Sequence, residues 1–421
     1  MFFEISEKIK EAAQKAQDMC EPEFKKVDEM AEYNQQKVLK AFIDNKVSER
    51  YFAGSTGYGY GDDGREALER VLAQIFSAED AVIRHNFVSG THALTVALFG
   101  VLRPGDTVMS VTGAPYDTLQ GVIGATRASS GSLKEFGINY EEVSLASDGA
   151  MDFSAIEKNI KNDTKMVYMQ RSRGYAMRRA LPVTDIRKVA QLAKKIAPKC
   201  VVMLDNCYGE FVGCDEPLQN GVDLIAGSLI KNPGGGLAPT GGYIAGRRDL
   251  VEMCSYRLTT PGTGKEVGAT LGLNKALFMG LFNAPHVTGE ALKTAIFSAA
   301  LFELLGYEVF PRYNEPRGDI VQAIKLGNAE NLILFCQSIQ AVSPVDSFVK
   351  PEPWDMPGYD NKIIMAAGTF TQGASIELSA DAPLREPYAV FLQGGLNFHS
   401  AKVAVIKAAD EVLKNRTTTA T

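Results

Sequence analysis

The hydrophobic and polar positions of residues 65–247 alternate between two patterns. Short apolar runs of strand length, such as residues 165–170 (KMVYMQ) and 200–205 (CVVMLD), are separated by amphipathic segments such as residues 184–196 (TDIRKVAQLAKKI). Near-continuous apolar strands separated by helices are typical of a mostly parallel sheet covered on both faces. We therefore predict an α/β fold with its functional site at the carboxyl ends of the strands, and with Thr184 as the cap of the helix that it begins.

The chain on either side of this region has a different pattern. Residues 4–45 place apolar side chains at helical spacing and predict two helices, which we expect to form an arm or an oligomer contact. Residues 267–307 predict a long connecting helix, followed by strands near 307–310, 320–326 and 374–379, a closing helix at 398–415 and a fraying polar tail at 415–421. The expected units are an arm at 1–50, a large α/β domain at 51–270 and a smaller α+β domain at 271–421.

Composition and charge exclude several classes of protein. Of the 421 residues, 45% are apolar and 22% are charged, and the net charge is −6. This composition predicts a folded globular protein, and its negative charge disfavours nucleic acid or an anionic membrane as a partner. The sequence contains no apolar run of the ~18 residues that a membrane span needs, and its charged first 21 residues lack the apolar core of a signal peptide.

Cysteine and histidine spacing gives no sign of a metal site. The six cysteines are scattered and form no C-x-x-C pair, and the four histidines lack the spacing of zinc ligands. We therefore expect neither a disulfide scaffold nor a bound metal, and we expect the protein to be cytoplasmic.

One glycine pattern resembles a nucleotide-binding motif and does not fit its context. Gly59, Gly61 and Gly64 match the spacing of the dinucleotide fingerprint, but the polar segment before them cannot supply the buried strand that this motif must follow. The phosphate-loop pattern of ATPases is also missing from the sequence. We therefore do not expect a nicotinamide, flavin or phosphate-loop site.

Two features at strand ends suggest an anion site and a buried acid. Ser89, Gly90 and Thr91 follow an apolar strand and open a helix, so backbone N–H groups and the positive helix end point at one place. A simple capped helix start is the alternative reading. Asp205 ends an apolar strand, where a carboxylate needs a cation or a strong donor. A helix cap or a metal ligand are the alternatives there.

A lysine and an aromatic residue complete a set that suits pyridoxal 5′-phosphate (PLP). Lys231 follows an apolar strand and precedes a run of glycines; partial burial there would lower its pKa and make the amine a nucleophile. Ser228 would add a hydroxyl to the anion site, and Tyr116 follows the next strand. An exposed loop lysine and a core tyrosine are the alternatives. PLP needs a lysine, a carboxylate at its ring nitrogen, a phosphate site and an aromatic face.

Longer motifs support this reading by resemblance. They are STGYGYGDDGREALE, FVSGTHAL, QRSRGY, LDNCYGEF, SLIKNPGGGLAPTGGYIAGR, RLTTPGTGKE and GTFTQGASIELSADAPLREPY. With these motifs the sequence resembles the fold-type-I PLP-dependent enzymes, and among them the methionine gamma-lyase-like group known as aluminium resistance proteins, relatives of cystathionine beta-lyase. The resemblance covers about residues 50 to 395 and implies an aspartate aminotransferase-like α/β fold.

The resemblance implies a role for each residue of the set. Lys231 would form the Schiff base, Asp205 would face the pyridinium nitrogen, and Tyr116 would stack on the ring. The phosphate would be held by Ser228 and by the turn formed by Ser89, Gly90 and Thr91.

The family's phosphate contact from a neighbouring subunit is altered in this sequence. Better-known members use a Tyr-x-Arg pair, whereas this chain has Tyr58 and Tyr60 without an arginine two residues after either. Arg65 or a residue of the 257–265 loop, such as Thr260, would substitute. A homodimer or homotetramer with active sites at the subunit interface is implied.

Several residues are candidates for binding and converting an amino-acid substrate. Arginine forms bidentate pairs with carboxylates, and the candidates are Arg385, which we prefer, then Arg173 and Arg171, with Gln170 beside them. Tyr116 or Tyr58 would assist as acid or base.

The reaction implied is elimination at a carbon–sulfur bond of a cystathionine-, methionine- or cysteine-like substrate. Transamination, racemisation or decarboxylation by the same cofactor is the first alternative, because one PLP adduct can break any of several bonds. A non-catalytic binding protein linked to stress or metal resistance is the remote one.

Overall fold

A seven-stranded sheet forms the centre of the first part of the chain. The computed structural model describes residues 2–125, 130–356, 359 and 361–418. The strands are β1 (Asp80–Arg84), β2 (Thr107–Ser110), β3 (Asn139–Glu142), β4 (Met166–Gln170), β5 (Val201–Asp205), β6 (Leu224–Ser228) and β7 (Gly242–Gly246). They lie in the order β1-β7-β6-β5-β4-β2-β3, and β7 runs antiparallel to both of its neighbours. The predicted mostly parallel central sheet is confirmed.

Helices cover both faces of this sheet. They are α1 (Glu7–Asp44), α2 (Asp63–Ile75), α3 (Gly90–Val101), α4 (Asp117–Ile123), α5 (Phe153–Asn159), α6 (Val183–Ile196), α7 (Arg248–Leu258) and α8 (Asn274–Leu304). Along β5, Val202 and Leu204 pack in the core that contains residues of α2, α6 and α8, whereas Val201 and Met203 pack with α3 and α7. This alternation places apolar side chains on both faces, which explains the near-continuous apolar strands of the sequence.

The N-terminal region differs from its prediction. One continuous helix, α1, replaces the two expected helices and runs through Pro22. Its residues Ile9, Cys20 and Phe24 lie in the same hydrophobic core as α8. Because buried side chains on both sides of Pro22 pack into one core, this packing outweighs the helical hydrogen bond that proline removes. The expected arm is therefore part of the core of its own chain.

A second sheet follows α8. Its strands are β8 (Glu308–Phe310), β9 (Gln322–Lys325), β10 (Ile363–Ala366), β11 (Ser379–Pro383) and β12 (Ala389–Gln393), and α9 (Ala329–Ala341) and α10 (Phe398–Thr418) pack with it. All its pairs are antiparallel, in the order β10-β11-β12-β9-β8. This confirms a smaller α+β part. The domain boundaries at residues 50 and 270 stay predictions.

Three local predictions are wrong. The strand expected at 374–379 begins only at Ser379, because the Glu377 carboxylate accepts the N–H groups of Phe370 and Thr371 at 2.7 and 2.8 Å and holds the segment in a turn. Helix α6 begins at Val183, with Pro182 at the N-cap position and no side-chain capping hydrogen bond, so Thr184 lies inside the first turn. The tail is helical through Thr418, and residues 419–421 lie outside the described residues.

Among the helices of the described ranges, none is both long enough and apolar enough to cross a membrane.

Candidate active site

A cavity of about 510 Å³ lies where the large sheet meets the second sheet. Gln170 and Asp205 reach it from the carboxyl ends of β4 and β5, and Lys231 reaches it from just beyond β6. Asp381 of β11 and Gln393 of β12 line it from the second sheet. The expected position of the site, at the carboxyl ends of parallel strands, agrees with this geometry.

Asp205 is a buried acid that lines the cavity. Its side chain is 3% exposed, and Oδ1 accepts the backbone N–H of Cys207 at 3.0 Å. Burial raises the pKa of Asp205, and the charge of Lys231 acts in the opposite direction. Asp205 is therefore a carboxylate held close to a cation in a place with little solvent.

The amine of Lys231 has a different electrostatic environment from the one we expected. Its Nζ lies 4.1 Å from the centroid of the Tyr208 ring. Burial by itself lowers the pKa of Lys231, but the acidic groups Cys207, Tyr208 and Asp205 outweigh burial and raise that pKa well above its ordinary value. The expectation of a lowered pKa is wrong for the chain by itself, because desolvation here comes with acidic neighbours.

The start of α3 forms a narrow cup beside the cavity. A Cβ added to Gly90 would lie 3.1 Å from Cβ of Ser228, which is a tight contact, so glycine suits the close approach of the backbone to β6 at this point. Oγ of Ser228 is buried and has no hydrogen-bond partner in the described part of the chain. Thr91, the next residue of α3, lines the cavity. Ser89 acts as the helix cap, since its Oγ accepts the N–H of His92 at 3.1 Å.

Tyr116 is fixed against this cup. Its hydroxyl lies 2.9 Å from Oγ1 of Thr91, and its backbone N–H donates to Oε1 of Gln170 at 2.9 Å. Burial raises the pKa of Tyr116, so the phenol keeps its proton near neutral pH and is not a base there. Gln170 also donates to the carbonyl of Ser172 at 3.0 Å. The oxygen and the nitrogen of its amide therefore hold Tyr116 and the loop after β4 in place.

The three candidate arginines differ in how much of each guanidinium is already engaged. Arg385 lines the cavity and is exposed, and no described residue accepts a hydrogen bond from its side chain. Arg173 also lines the cavity but is buried, donates to the carbonyl of Phe310 at 2.7 Å and pairs with Asp319. Arg171 is buried against Asn206 and does not line the cavity.

Four further predicted residues, besides Arg171, lie away from the cavity of their own chain. Tyr58 and Tyr60 are 77% and 65% exposed, and Thr260 lies in an exposed loop after α7. Arg65 is buried and donates to the carbonyls of Gly268 and Glu266 at 2.8 and 3.1 Å, so it joins the 51–64 segment to the 264–268 loop. The structure does not bring these residues to Lys231 within one chain.

Sequence reasoning missed several lining residues, among them Tyr175, Tyr208, Arg178 and Asp381. Arg178 is used internally, because its side chain donates to the carbonyls of Gln170 and Ser172. Asp381 carried one usable signal in the sequence: a charged residue stands between two alanines in a short apolar run. In the described ranges, no group of three or more His, Cys, Asp or Glu residues is placed to hold a metal ion.

Comparisons with known proteins agree with this geometry. A sequence model of the family described as methionine gamma-lyase matches residues 9–413. The uncharacterized protein YnbB of Bacillus subtilis (strain 168) is 46% identical over 393 residues, which is 93% of each chain.

Two solved structures share the whole fold. A candidate cystathionine beta-lyase involved in aluminium resistance, from Listeria monocytogenes, is 49% identical with a TM-score of 0.93 and covers 96% of this chain and 100% of its own. A carbon–sulfur lyase involved in aluminium resistance, from Clostridium novyi NT, is 50% identical with a TM-score of 0.93, covering 97% and 96%. The predicted fold-type-I α/β architecture is confirmed, and the chain belongs to the methionine gamma-lyase family.

Proposed function

We propose that this protein is a PLP-dependent carbon–sulfur lyase that acts on a sulfur-containing amino acid by α-proton removal and elimination. The observation that carries the proposal is that Lys231 and Asp205 line one cavity beside the cup formed by Gly90 and Ser228. Membership of the methionine gamma-lyase family supports the same chemistry.

The residues of the cavity fit PLP. The buried and unpartnered hydroxyl of Ser228, with the close backbone of Gly90 and the hydroxyl of Thr91, suits a phosphate group. Lys231 supplies the amine that would hold the aldehyde carbon, and Asp205 supplies a carboxylate for the ring nitrogen. Tyr116, which lines the same cavity, supplies an aromatic face.

Each of these side chains has a definite task in the proposed reaction. The cofactor, when bound, acts as an electron sink for the α-carbon. The negative charge of Asp205 favours a protonated ring nitrogen without itself transferring a proton. The Lys231 amine, in its neutral form, would be the base that takes the α-proton. Tyr116, which keeps its proton, serves as a donor and a positioning group and not as a base.

Arg385 is the proposed partner of the substrate α-carboxylate. It is the candidate arginine whose guanidinium both lines the cavity and makes no hydrogen bond to a described residue. Arg173, the second candidate, is buried, donates one hydrogen bond to the carbonyl of Phe310 and has its charge paired with Asp319. A free guanidinium at the edge of the cavity suits the bidentate pairing that a carboxylate favours.

We also propose that the protein works as a homodimer or homotetramer, with no nucleic acid or membrane partner. Two exposed tyrosines, Tyr58 and Tyr60, stand on a segment that Arg65 fixes to the 264–268 loop. Such exposed aromatic side chains on an ordered segment suit a contact with a second copy, where they and Thr260 would reach the partner's cofactor.

The test is an absorbance scan of the purified protein with PLP, before and after adding cystathionine or methionine, with ammonia and thiol assayed. We expect a visible band that Lys231→Ala abolishes, and release of both ammonia and thiol. The exposed Lys350→Ala variant should keep the band. Keto acid formed without ammonia would favour an aminotransferase. A protein that stays colourless with PLP would favour a non-catalytic role, and either result would contradict the proposal.

A further inference from the structure

A second buried acid, Asp381, faces the same cavity from the second sheet. It is 8% exposed and lines the cavity, while its neighbours on β11, Ala380 and Ala382, pack into the hydrophobic core on the other side of the strand. Since successive side chains of a strand point to opposite faces, β11 presents this carboxylate to the cavity by its register.

The two oxygens of the Asp381 carboxylate have different surroundings. Oδ2 accepts the Tyr175 hydroxyl at 2.9 Å and Nε2 of Gln393 at 2.6 Å. Oδ1 accepts no hydrogen bond from any described residue, and it is absent from the buried side-chain atoms that lack a partner, so it is accessible from the cavity. The carboxylate is therefore oriented by two donors while one oxygen is left open to the cavity.

The other charged residues that line the cavity leave Oδ1 of Asp381 without a cation. In the proposed function, Lys231 and Asp205 are both used by the cofactor. Arg178 is held by backbone carbonyls, and Arg173 is held by Phe310 and Asp319. Arg385 remains for a substrate carboxylate. The acid Asp117 also lines the cavity but is only half-buried, so Asp381 remains as the buried anion without an ion-pair partner among the described residues. A buried carboxylate without a cation is costly, so a positively charged ligand is favoured.

We propose that Asp381 selects substrates that carry a second ammonium group, at the end of the side chain away from the α-carbon. The α-amino nitrogen of the substrate is taken by the cofactor, so a cation for Asp381 has to come from another part of the substrate. This inference rests on the proposed function and narrows its substrate class to diamino thioether acids of the cystathionine type, in preference to methionine.

The test compares two substrates that differ only in the distal amino group: cystathionine and S-(3-carboxypropyl)cysteine. We expect the unmodified enzyme to favour cystathionine in kcat/KM by about 10- to 100-fold, the range of a hydrogen bond to a charged group. Asp381→Asn keeps the shape and an acceptor for Tyr175, and it should bring the ratio close to one. Asp117→Asn is the matched control, because Asp117 is another acid of the cavity, and it should keep the preference.

A binding measurement separates this inference from the proposed reaction. Calorimetry with the Lys231→Ala variant, which lacks the lysine needed for turnover, should show tighter binding of cystathionine than of the desamino compound. The preference should disappear in the Lys231→Ala, Asp381→Asn double variant. Preferential binding without elimination in the intact enzyme would uphold the inference and overturn the proposed function. Elimination with equal kcat/KM for both compounds would uphold the proposed function and overturn the inference.

Two results would overturn the role of Asp381 directly. One is an equal loss of kcat on both substrates in Asp381→Asn, which would indicate proton transfer to the leaving sulfur. The other is an unchanged substrate ratio in an Asp381→Asn protein that melts cooperatively. If that variant does not fold, the pH dependence of the ratio in the unmodified enzyme decides.

The pH test works because Asp381 is the group expected to change charge near pH 6. Burial raises the pKa of Asp381 to about 6, against the opposing effects of Tyr175, Gln393 and Lys231. The other titratable groups that interact with it keep their protons at that pH, since their pKa values are raised: Tyr175, Tyr208, Tyr359, Cys336 and Lys231. The preference for cystathionine should therefore fall as the pH drops from 7 to 5, and a constant ratio would contradict the inference.

Discussion

The Tyr175 hydroxyl donates a 2.9 Å hydrogen bond to Oδ2 of Asp381 and so joins the loop after β4 to a strand of the second sheet. This bond lowers the pKa of Asp381 against the larger effect of burial. The two sheets therefore meet at the cavity through a contact that also tunes a charge inside it.

Tyr175→Phe removes that donor while keeping the ring. We expect the pKa of Asp381 to rise above its value of about 6, because its carboxylate loses a hydrogen bond that favours the charged form. The pH at which the enzyme begins to prefer cystathionine over S-(3-carboxypropyl)cysteine should therefore move upward. Tyr140→Phe, at the far edge strand β3, is the control and should leave the profile unchanged. A profile that moves downward would contradict the assignment.

Asp205→Ala tests the partner of the cofactor ring. We expect this variant to retain some cofactor, because Lys231 and the Ser228 cup remain, and to lose at least about 100-fold in kcat, because the electrostatic support of the ring nitrogen is gone. Visible absorbance and steady-state kinetics measure the two effects separately. Asp117→Asn, an acid of the same cavity, serves as the comparison. An Asp205→Ala enzyme with an unaffected rate would refute the role of Asp205.

Glu210 makes a prediction about stability. Its Oε1 accepts the Tyr243 hydroxyl at 2.8 Å, and burial raises its pKa to about 8 from an ordinary value of 4.5. Between these two pH values the folded chain holds a proton that the unfolded chain has released. The free energy of unfolding should therefore fall as pH rises from 4.5 toward 8, with a slope of at most about 1.4 kcal/mol per pH unit from this group.

Denaturant unfolding at several pH values measures this slope. Glu210→Gln cannot titrate and should flatten the dependence, whereas Glu29→Gln, an exposed position of α1, should leave it as it was. Equal slopes in the unmodified protein and in Glu210→Gln would show that Glu210 is charged in the folded chain at neutral pH.

The sequence predicted the site residues that come from the large sheet, but not Asp381, which comes from the second sheet. Lys231, Asp205, Gly90 and Ser228 could be found because each lies at or near the end of a strand or the start of a helix, where local pattern fixes position. Asp381 could not be placed, because β11 is short and its pairing with β10 and β12 depends on distant segments with little alternation of their own.

The electrostatic prediction for Lys231 failed for a related reason. Burial was foreseen from the apolar strand before it, but the acidic groups Cys207 and Tyr208 come from the loop after β5 and meet the amine only in the folded chain. Likewise two helices were expected within residues 4–45 where the structure has the single helix α1, because local propensity does not include the packing of residues on both sides of Pro22 into one core.

The proposed role of Tyr58 and Tyr60 across a subunit interface can be tested by complementation. The Tyr58→Phe, Tyr60→Phe and Lys231→Ala variants should each have low activity. When either tyrosine variant is mixed with an equal amount of the Lys231→Ala variant, hybrid dimers should form with one intact site, because the intact lysine and the intact tyrosines then come from different chains. About a quarter of full activity is expected from random pairing.

The control mixture combines Lys231→Ala with Asp205→Ala. Both residues line the cavity of one chain, so no hybrid contains an intact site and activity should stay low. Equal activity in the two mixtures would contradict the interface role of the tyrosines.

The most direct test of the central claim asks which lysine carries the cofactor. Borohydride reduction of the PLP-loaded protein fixes a Schiff base as a stable pyridoxyl group, and proteolysis with mass spectrometry then locates it. We expect one pyridoxyl group per chain, on the peptide that contains Lys231. A label on another lysine, or a loaded protein in which Lys231 stays unmodified, would contradict it.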